Sequence, residues 1–269
     1  MLLSIVLLTW NSRPFIVNCL DALLTQLPKE TEIIIIDNGS TDDSIQIIQQ
    51  QYPQVRLVCN ETNQGVGPAR NQGLKIAQGQ YILILDIDTI VQPNAIPLLL
   101  HSMETNPQVG LVGAKLLDIN YQLQYTCRNF PTLLGKFGRQ LPLSLQNHLL
   151  NDEELRNWSH ETRRHVGYVI GACQMIRRTA MQEIGYYDDH IFYGPEDVDY
   201  CLRMWQAGWQ VLYVPEAVIL HLEQRMTRKR FWRNRMFWIH LQGLAWYFWK
   251  HQYLFRPPQF LELKPSPSH

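Results

Sequence analysis

The chain has 269 residues, of which 46% are hydrophobic and 18% are charged, a composition typical of a globular protein and not of a disordered one. Basic and acidic residues balance at 24 each, which excludes a chain built wholly around nucleic acid or another polyanion. The five cysteines are scattered and form no Cys-x-x-Cys pair, so a reducing compartment is favoured over a zinc site or disulfide framework.

The first hundred residues alternate short apolar segments with segments of helical periodicity. This order predicts strands at 3–9, 32–36, 55–59 and 81–85, and helices at 13–26, 44–51 and 66–77. Further along, it predicts strands at 168–177 and 210–214 and helices at 179–184 and 197–207, with no clear pattern at 119–165. Strands that alternate with helices form a largely parallel sheet, whose carboxyl edge is where ligands bind. The N-terminal run lacks the basic residues and cleavage site of a signal peptide, so none is expected.

Two carboxylates, Asp86 and Asp88, directly follow the predicted strand at 81–85. Alternate residues of an extended segment point the same way, so both side chains are expected on one side. Paired carboxylates suit Mg²⁺ or Mn²⁺ and leave coordination positions for phosphate oxygens. Asp-x-Asp also occurs by chance in solvated loops, so its position at the end of a strand is what favours a metal site.

Asp37 ends another predicted strand and begins an Asp-Asn-Gly-Ser turn. Turn chemistry alone explains an aspartate there, but Gly39 would also let the backbone approach a ligand, and Asp37 would accept an N–H from a nucleobase. A glycine-containing loop at 60–67 then leads into a helix that carries Arg70, an arrangement that suits a diphosphate. This loop matches neither a P-loop nor a dinucleotide-binding Gly-x-Gly-x-x-Gly pattern.

The polar segments follow one another in a distinctive order. The first half contains Thr9-Trp10-Asn11, Asp37-Asn-Gly-Ser, Asn63-x-Gly65, Arg70-Asn71-x-Gly73 and Asp86-x-Asp88. The second half contains Gly171-Ala172, Ile184-Gly185-Tyr-Tyr187-Asp188, Glu196-Asp197-Val-Asp199 and His221. Each motif is weak alone, but the ordered set, over residues 3–250, resembles family 2 glycosyltransferases with the GT-A fold, and most of all their rhamnosyltransferase-like branch.

The resemblance implies an α/β GT-A catalytic domain at 1–222, with a nucleotide-sugar-binding half at 1–118 and an acceptor half at 119–222. It implies inverting transfer of a sugar, with rhamnose as a candidate, from a dTDP- or UDP-linked donor. The acceptor would be a hydroxyl of a glycan or a polyprenyl-diphosphate-linked sugar, in cell-surface polysaccharide synthesis. Such an enzyme is expected to be cytoplasmic, at the inner face of the cell membrane.

The resemblance also implies roles for individual residues. The general base would be Asp197, supported by Glu196, although two acids at a helix start also stabilise the helix itself. The divalent metal, Mn²⁺ or Mg²⁺, would be held by Asp86, Asp88 and His221, although a histidine at a strand end is as often structural. The expected donor-binding residues are Thr9, Trp10, Asn11, Asp37, Asn63, Gly65, Arg70 and Asp86, with Trp10 stacked on the base.

Residues 223–269 are predicted to form a basic, aromatic, helical C-terminal extension. Six of the residues at 225–235 are cationic and none is acidic, and three tryptophans follow at 236–249. This composition suits a helix lying on anionic lipid, so peripheral membrane contact through 225–249 is one interpretation. A helix packed on the catalytic domain is the other, because the segment is too short and too polar to span a bilayer.

Two other functions stay open on the sequence alone. A nucleotidyltransferase also binds nucleotides beside paired acids, but it usually begins with a glycine-rich basic loop, and residues 9–13 contain no glycine. A non-catalytic sugar- or membrane-binding protein on the same fold is disfavoured by the presence of Asp86, Asp88 and Asp197. No nucleic-acid partner is expected, and the sequence predicts no oligomeric state.

Overall fold

The computed structural model describes residues 1–138, 151–222 and 235–260. Strands and helices alternate through the first half. The four strands and three helices predicted up to residue 85 are present, whereas the elements between residues 89 and 117 were not predicted from the sequence. These elements are β1 (Leu3–Thr9), α1 (Arg13–Leu24), β2 (Thr31–Asp37), α2 (Ser44–Gln51), β3 (Arg56–Cys59), α3 (Val66–Ile76), β4 (Tyr81–Asp86), β5 (Thr89–Val91), α4 (Ala95–Thr105) and β6 (Val109–Leu117).

The second half is less regular. Its elements are β7 (Cys127–Arg128), α5 (Leu133–Gly138), β8 (Arg164–His165), β9 (Tyr168–Val169), β10 (Cys173–Arg177), α6 (Arg178–Ile184), α7 (Glu196–Gln206), β11 (Gln210–His221) and α8 (Arg235–His251). Short strands and a short helix therefore lie within the region at 119–165 for which the sequence showed no pattern.

One nine-stranded sheet organises the described residues, in the order β3-β2-β1-β4-β10-β6-β11-β5, with β8 also paired to β11. Strands β3, β2, β1 and β4 are parallel. Strand β10 is antiparallel to both β4 and β6, and β6 is parallel to β11. Six of the nine strands therefore share one direction, which confirms the predicted α/β fold with a mostly parallel sheet.

Both faces of the sheet are covered by helices, because successive side chains of a strand point to opposite faces. In β1, Leu3, Ile5 and Leu7 belong to one buried cluster, which α1, α2 and α4 cover. Val6 belongs to the other, which α3, α6, α7 and α8 cover. The uniformly apolar strands are thus explained by burial on two sides.

The predicted strand at 168–177 is wrong in one respect, since the structure contains two strands there. Strand β9 pairs with β7 in a separate two-stranded sheet, whereas β10 lies in the main sheet. Gly171 lies between them, and a Cβ at this position would overlap the guanidinium of Arg70. The interruption therefore makes room for a buried arginine beside the backbone.

The predicted strand at 210–214 is too short, because β11 continues to His221. Its pairing with β6 shifts register between Val214 and Val218. A bulge of this kind redirects a strand without ending it. Beyond the bulge, residues 219–221 pair with β5, so the added length carries His221 toward the end of β4.

Helix α8 packs against the second buried cluster, which agrees with one of the two interpretations of the C-terminal extension. Tyr247 and Phe248 are buried in the second core cluster. Trp246 Nε1 and Lys250 Nζ donate to Asp188 Oδ2 at 3.0 and 2.7 Å. The basic residues at 225–234, part of the segment predicted to contact the membrane, lie outside the described part of the chain. None of the helices that the structure describes combines the length and hydropathy needed to cross a bilayer.

Candidate active site

The three predicted metal ligands come together at the carboxyl edge of the sheet. Asp86 ends β4, Asp88 lies in the turn to β5, and His221 ends β11. One ligand atom from each lies within 4.8 Å of the other two, and His221 Nε2 is 3.6 Å from Asp88 Oδ1. Two carboxylates and an imidazole nitrogen form a donor set that fits Mn²⁺ or Mg²⁺.

Backbone pairing explains how His221 reaches Asp88 from so far along the chain. His221 lies opposite Thr89 in the antiparallel pairing of β11 with β5. The next residue, Leu222, donates its N–H to the Asp88 carbonyl at 2.9 Å. The Thr89 hydroxyl donates to the Asp86 carbonyl at 2.7 Å, which closes the turn between the two aspartates. The imidazole is therefore placed by strand pairing and not by a local motif.

Arg70, which the sequence predicts beside a diphosphate, is buried and lies between two groups of acids. Its Nη2 is 2.6 Å from Asp86 Oδ1 and donates to the Gly171 carbonyl at 2.9 Å. Its Nη1 lies 3.5 Å from Glu196 Oε1, and only 3% of the side chain is exposed. The two terminal nitrogens are thus bonded to protein groups, whereas Nε has no hydrogen-bond partner among the described residues.

The predicted base and its neighbour begin helix α7 and are both buried, with 8% of Asp197 and 6% of Glu196 exposed. Asp197 Oδ2 accepts the Gly171 N–H at 3.1 Å, and its Oδ1 accepts the Val198 N–H at 2.7 Å. Glu196 Oε2 accepts the Gly194 N–H at 2.8 Å. Backbone donors thus fix both carboxyl groups in place.

Burial raises the pKa of both carboxyl groups above the usual range. The negative charge of Asp197 raises the pKa of Glu196 further, whereas the nearby Arg70 lowers both. Two interacting carboxyls titrate as a pair and hold a proton to higher pH than either would in water. Such a pair is suited to accept a proton from a hydroxyl near neutral pH.

A second feature of the sheet edge is a pair of buried polar atoms without a partner. Asp37 and Thr9 end β2 and β1 and lie opposite each other in the parallel register. Asp37 Oδ1 accepts the N–H groups of Gly39 and Ser40 at 3.2 and 2.9 Å. Asp37 Oδ2 and Thr9 Oγ1 make no hydrogen bond among the described residues. Because leaving such atoms unpaired costs about 1–3 kcal/mol each, they suit a ligand with matching polar groups.

The predicted donor-binding loops, which contain or flank Thr9 and Asp37, are joined by hydrogen bonds. Asn11 donates its N–H to Ser40 Oγ and accepts the Thr41 N–H at its Oδ1, both at 2.8 Å. Trp10 keeps 40% of its surface exposed, so the side chain is accessible from solvent. Asn63 Oδ1 accepts the Gly65 N–H at 2.9 Å, which makes a tight turn at the start of α3.

Sequence reasoning missed Asn38, a buried residue that joins two of these loops. Its Nδ2 donates to Asn63 Oδ1 at 3.0 Å and to the Gly65 carbonyl at 3.1 Å. Its Oδ1 accepts the Gln64 N–H at 2.9 Å. Gly65 itself has a φ of 91°, and a Cβ there would overlap Phe192. The only sequence signal for Asn38 was its place in the turn after Asp37.

A second missed residue is Gln124, whose side chain contacts His221. It lies in the region at 119–165 that showed no regular pattern, so no signal pointed to it. Gly171 was quoted only as part of a motif, yet its carbonyl and N–H contact Arg70 and Asp197 respectively. These contacts depend on tertiary structure and could not be read from spacing.

Comparison with protein families agrees with the geometry. The family described as "Glycosyl transferase family 2" matches residues 4–185, and one described as "Glycosyltransferase (GlcNAc)" matches residues 147–264. A relative from Mycobacterium tuberculosis, N-acetylglucosaminyl-diphospho-decaprenol L-rhamnosyltransferase, is 29% identical over 246 residues, which are 84% of this chain and 77% of the relative. The match supports the rhamnosyltransferase-like branch of the family.

Two solved structures share the fold. The mannosyltransferase of Pyrobaculum calidifontis, in complex with GDP-Man and Mn²⁺, has a TM-score of 0.62 at 18% identity over 95% of this chain and 65% of its own. GalNAc-T7 with UDP, GalNAc and Mn²⁺ has a TM-score of 0.65 at 20% identity, over 82% of this chain and 43% of its own. The fold is thus GT-A, as predicted. Since the first family model covers more than half of the residues, the chain belongs to glycosyl transferase family 2.

Proposed function

We propose that the chain is a metal-dependent, inverting glycosyltransferase that uses a dTDP- or UDP-sugar, with rhamnose as the leading candidate. One observation carries the proposal: Arg70 links the Asp86, Asp88 and His221 cluster to the Glu196 and Asp197 pair at one sheet edge. Sugar transfer needs one group that holds the departing diphosphate and another that deprotonates the attacking hydroxyl. Two separate sites would not serve this reaction, whereas linked sites do.

The metal would be Mn²⁺ or Mg²⁺, held by Asp86, Asp88 and His221. Support comes from this donor set and from the two solved structures of the same fold, both of which were determined with Mn²⁺. When bound, the ion would neutralise charge on the leaving diphosphate. Arg70 contacts Asp86 Oδ1, which holds the carboxylate in one orientation with its Oδ2 clear of that ion pair.

The nucleotide would bind over the carboxyl ends of β1 and β2. The unpartnered Asp37 Oδ2 would accept a base N–H, Thr9 Oγ1 would add a polar contact, and Trp10 would stack on the ring. Asn11 supports the same surface through its bonds to Ser40 and Thr41. Asn63 and Gly65 would shape the loop beside the ribose and diphosphate. The similarity to a rhamnosyltransferase supports rhamnose as the sugar.

Asp197 would be the base that receives the proton of the acceptor hydroxyl. Its two backbone N–H bonds favour the ionised form, while Glu196 next to it would hold the proton that the pair shares. Attack from the side opposite the diphosphate inverts the anomeric centre. The acceptor would be a glycan or polyprenyl-diphosphate-linked sugar in cell-surface polysaccharide synthesis, which the name of the mycobacterial relative supports.

Peripheral contact with the inner face of the cell membrane through 225–249 is the last part of the proposal. Helix α8 buries one side against the domain and exposes apolar side chains on another, with Trp238, Leu241 and Trp249 exposed by 54%, 39% and 69%. Tryptophan at a lipid interface, next to the cationic sequence 225–235, suits anionic lipid. The five cysteines are all free, in keeping with a cytoplasmic location.

The reaction is tested by incubating the full chain with a panel of nucleotide-sugars, with and without Mn²⁺. We expect a dTDP- or UDP-sugar to raise Tm only when Mn²⁺ is present, and to release nucleoside diphosphate. Asp88→Asn is expected to lose both effects. Pyrophosphate release from a nucleoside triphosphate and a sugar phosphate would instead identify a nucleotidyltransferase. Binding without either product would identify a non-catalytic sugar-binding protein.

The membrane contact is tested by co-sedimentation with vesicles that contain phosphatidylglycerol. We expect Trp238→Ser combined with Trp249→Ser to reduce binding, because two interfacial anchors are removed. Ile119→Ser combined with Tyr121→Ser is the matched control, since these apolar residues are 62% and 64% exposed elsewhere. Equal binding by the two double variants would reject α8 as the membrane-contacting element.

A further inference from the structure

One side chain holds His221 at two points. Gln124 Oε1 lies 2.8 Å from His221 Nδ1, and Gln124 Nε2 donates to the His221 backbone carbonyl at 2.9 Å. The backbone of Gln124 is fixed as well, because its N–H donates to the Leu116 carbonyl on β6 at 2.9 Å. The amide is therefore clamped between the ring and the carbonyl of the same histidine.

These two contacts determine which ring nitrogen carries the proton. A backbone carbonyl only accepts hydrogen bonds, so the amide NH₂ of Gln124 has to face it and the amide oxygen has to face the ring. That oxygen also only accepts, so His221 Nδ1 carries the hydrogen. In a neutral imidazole the lone pair is then on Nε2, the nitrogen that lies 3.6 Å from Asp88 Oδ1.

We propose that Gln124 is a positioning residue that holds His221 in the tautomer and orientation needed to bind a divalent metal with Asp86 and Asp88. The inference rests on the proposed metal site and adds a residue to it. A hydrogen-bond acceptor behind a metal-binding imidazole fixes the ring and increases its basicity. Losing such a partner typically weakens metal affinity about 10- to 100-fold.

The test is a titration of the full chain with Mn²⁺, with free Mn²⁺ measured by electron paramagnetic resonance. Gln124→Met keeps the length of the side chain but removes both polar atoms, and we expect it to weaken Mn²⁺ binding about 10-fold or more. Gln122→Met is the matched control. Among the described residues its exposed side chain donates to the Asn120 carbonyl, at 3.3 Å, and contacts none of the three proposed ligands, so the Mn²⁺ affinity of this variant is expected to stay unchanged.

A double-mutant cycle separates an effect through His221 from general damage to the site. Gln124→Met is expected to cause little further loss in a chain that already carries His221→Ala, because the imidazole it positions is gone. Gln124→Glu keeps an acceptor for Nδ1–H and is expected to bind Mn²⁺ more tightly than Gln124→Met. Unchanged Mn²⁺ affinity of Gln124→Met, or an equal loss in both backgrounds, would overturn the proposal.

The proposed metal site itself is tested by a separate variant. Asp88→Asn is expected to weaken Mn²⁺ binding by itself. The metal site and the role of Gln124 are both refuted if the wild-type chain binds no Mn²⁺. They are also refuted if Asp88→Asn and His221→Ala both bind Mn²⁺ as well as the wild-type chain does. If Asp88→Asn weakens binding while Gln124→Met does not, the metal site stands and only the role of Gln124 is refuted.

Discussion

The two acidic clusters of the site differ in their access to water. The side chains of Asp86 and Asp88 are 30% and 18% exposed, whereas Glu196 and Asp197 are both buried. A cation and a diphosphate have to enter from solvent, so the first cluster needs an opening. A general base gains from desolvation, which brings the carboxyl pKa toward neutral pH. The difference in exposure thus suits the first cluster to binding a metal and the second to accepting a proton.

Asp197→Asn is expected to give the largest effect and tests the catalytic side of this comparison. Asparagine keeps the shape but accepts no proton, so we expect kcat to fall about 10²- to 10⁴-fold. Mn²⁺ affinity is expected to stay the same, since Asp197 is not among the three grouped ligands. The measurements are release of nucleoside diphosphate and a Mn²⁺ titration, with Glu216→Gln in an exposed ion pair as control. Full activity of Asp197→Asn would assign the base elsewhere.

Arg70→Met tests the link between the clusters. Removing one partner from a buried ion pair typically costs about 3–5 kcal/mol, because the remaining charges lose their compensation. The partial exposure of Asp86 places the expected loss in the free energy of unfolding toward the lower end. Arg13→Met is the matched control, since the Arg13–Asp43 pair is more than half exposed on both sides and such pairs contribute about 0–1 kcal/mol. Urea unfolding measures both, and equal losses would show that the link contributes no stability.

The fold up to Asp86 was predictable because its signals are local. Strands β1, β2 and β4 contain apolar runs, and each ends in polar residues at the edge where parallel strands place their loops. Asp37 and Asp86 were identified in this way. Their position follows from strand direction alone, so no knowledge of distant contacts was needed.

The second half depends on contacts between distant residues, and predictions there were less complete. The break at Gly171 exists because Arg70, a hundred residues earlier, needs the space. The extension of β11 to His221 follows from pairing with β5 after a bulge. Gln124 lies outside any regular pattern, yet it is bonded to His221. Such contacts cannot be predicted from composition and periodicity.

Asp37→Asn tests whether the exposed edge also recognises the base. Asparagine keeps one carbonyl oxygen for the Gly39 and Ser40 N–H groups, so the turn is expected to survive. It replaces the unpartnered Oδ2 with a donor, and a mismatch of this kind costs about 1–3 kcal/mol. This corresponds to a loss of roughly 5- to 150-fold in affinity. Calorimetric titration with UDP and dTDP measures the loss. Asp43→Asn, at an exposed position near the same loop, is the control. If Asp37→Asn and Asp43→Asn bind UDP and dTDP with equal affinity, Asp37 takes no part in base recognition.

Glu196→Gln tests the desolvated pair through the pH dependence of stability. Burial and the charge of Asp197 raise the pKa of Glu196 in the folded chain above its usual range. The folded chain therefore keeps a proton that the unfolded chain releases above the ordinary glutamate pKa of about 4.3. The wild-type free energy of unfolding should fall as pH rises from there to the raised pKa.

Glutamine has no proton to release, so the variant should lack this part of the slope. We expect its stability relative to wild type to increase with pH, by at most about 1.4 kcal/mol per pH unit for one proton. Urea unfolding between pH 5 and 8 in the presence of EDTA measures the difference, with the exposed Glu216→Gln variant expected to run parallel to wild type. If Glu196→Gln also runs parallel, Glu196 ionises in the folded chain as it does in water. Burial would then not distinguish the two acidic clusters, and the base would need another source for its raised pKa.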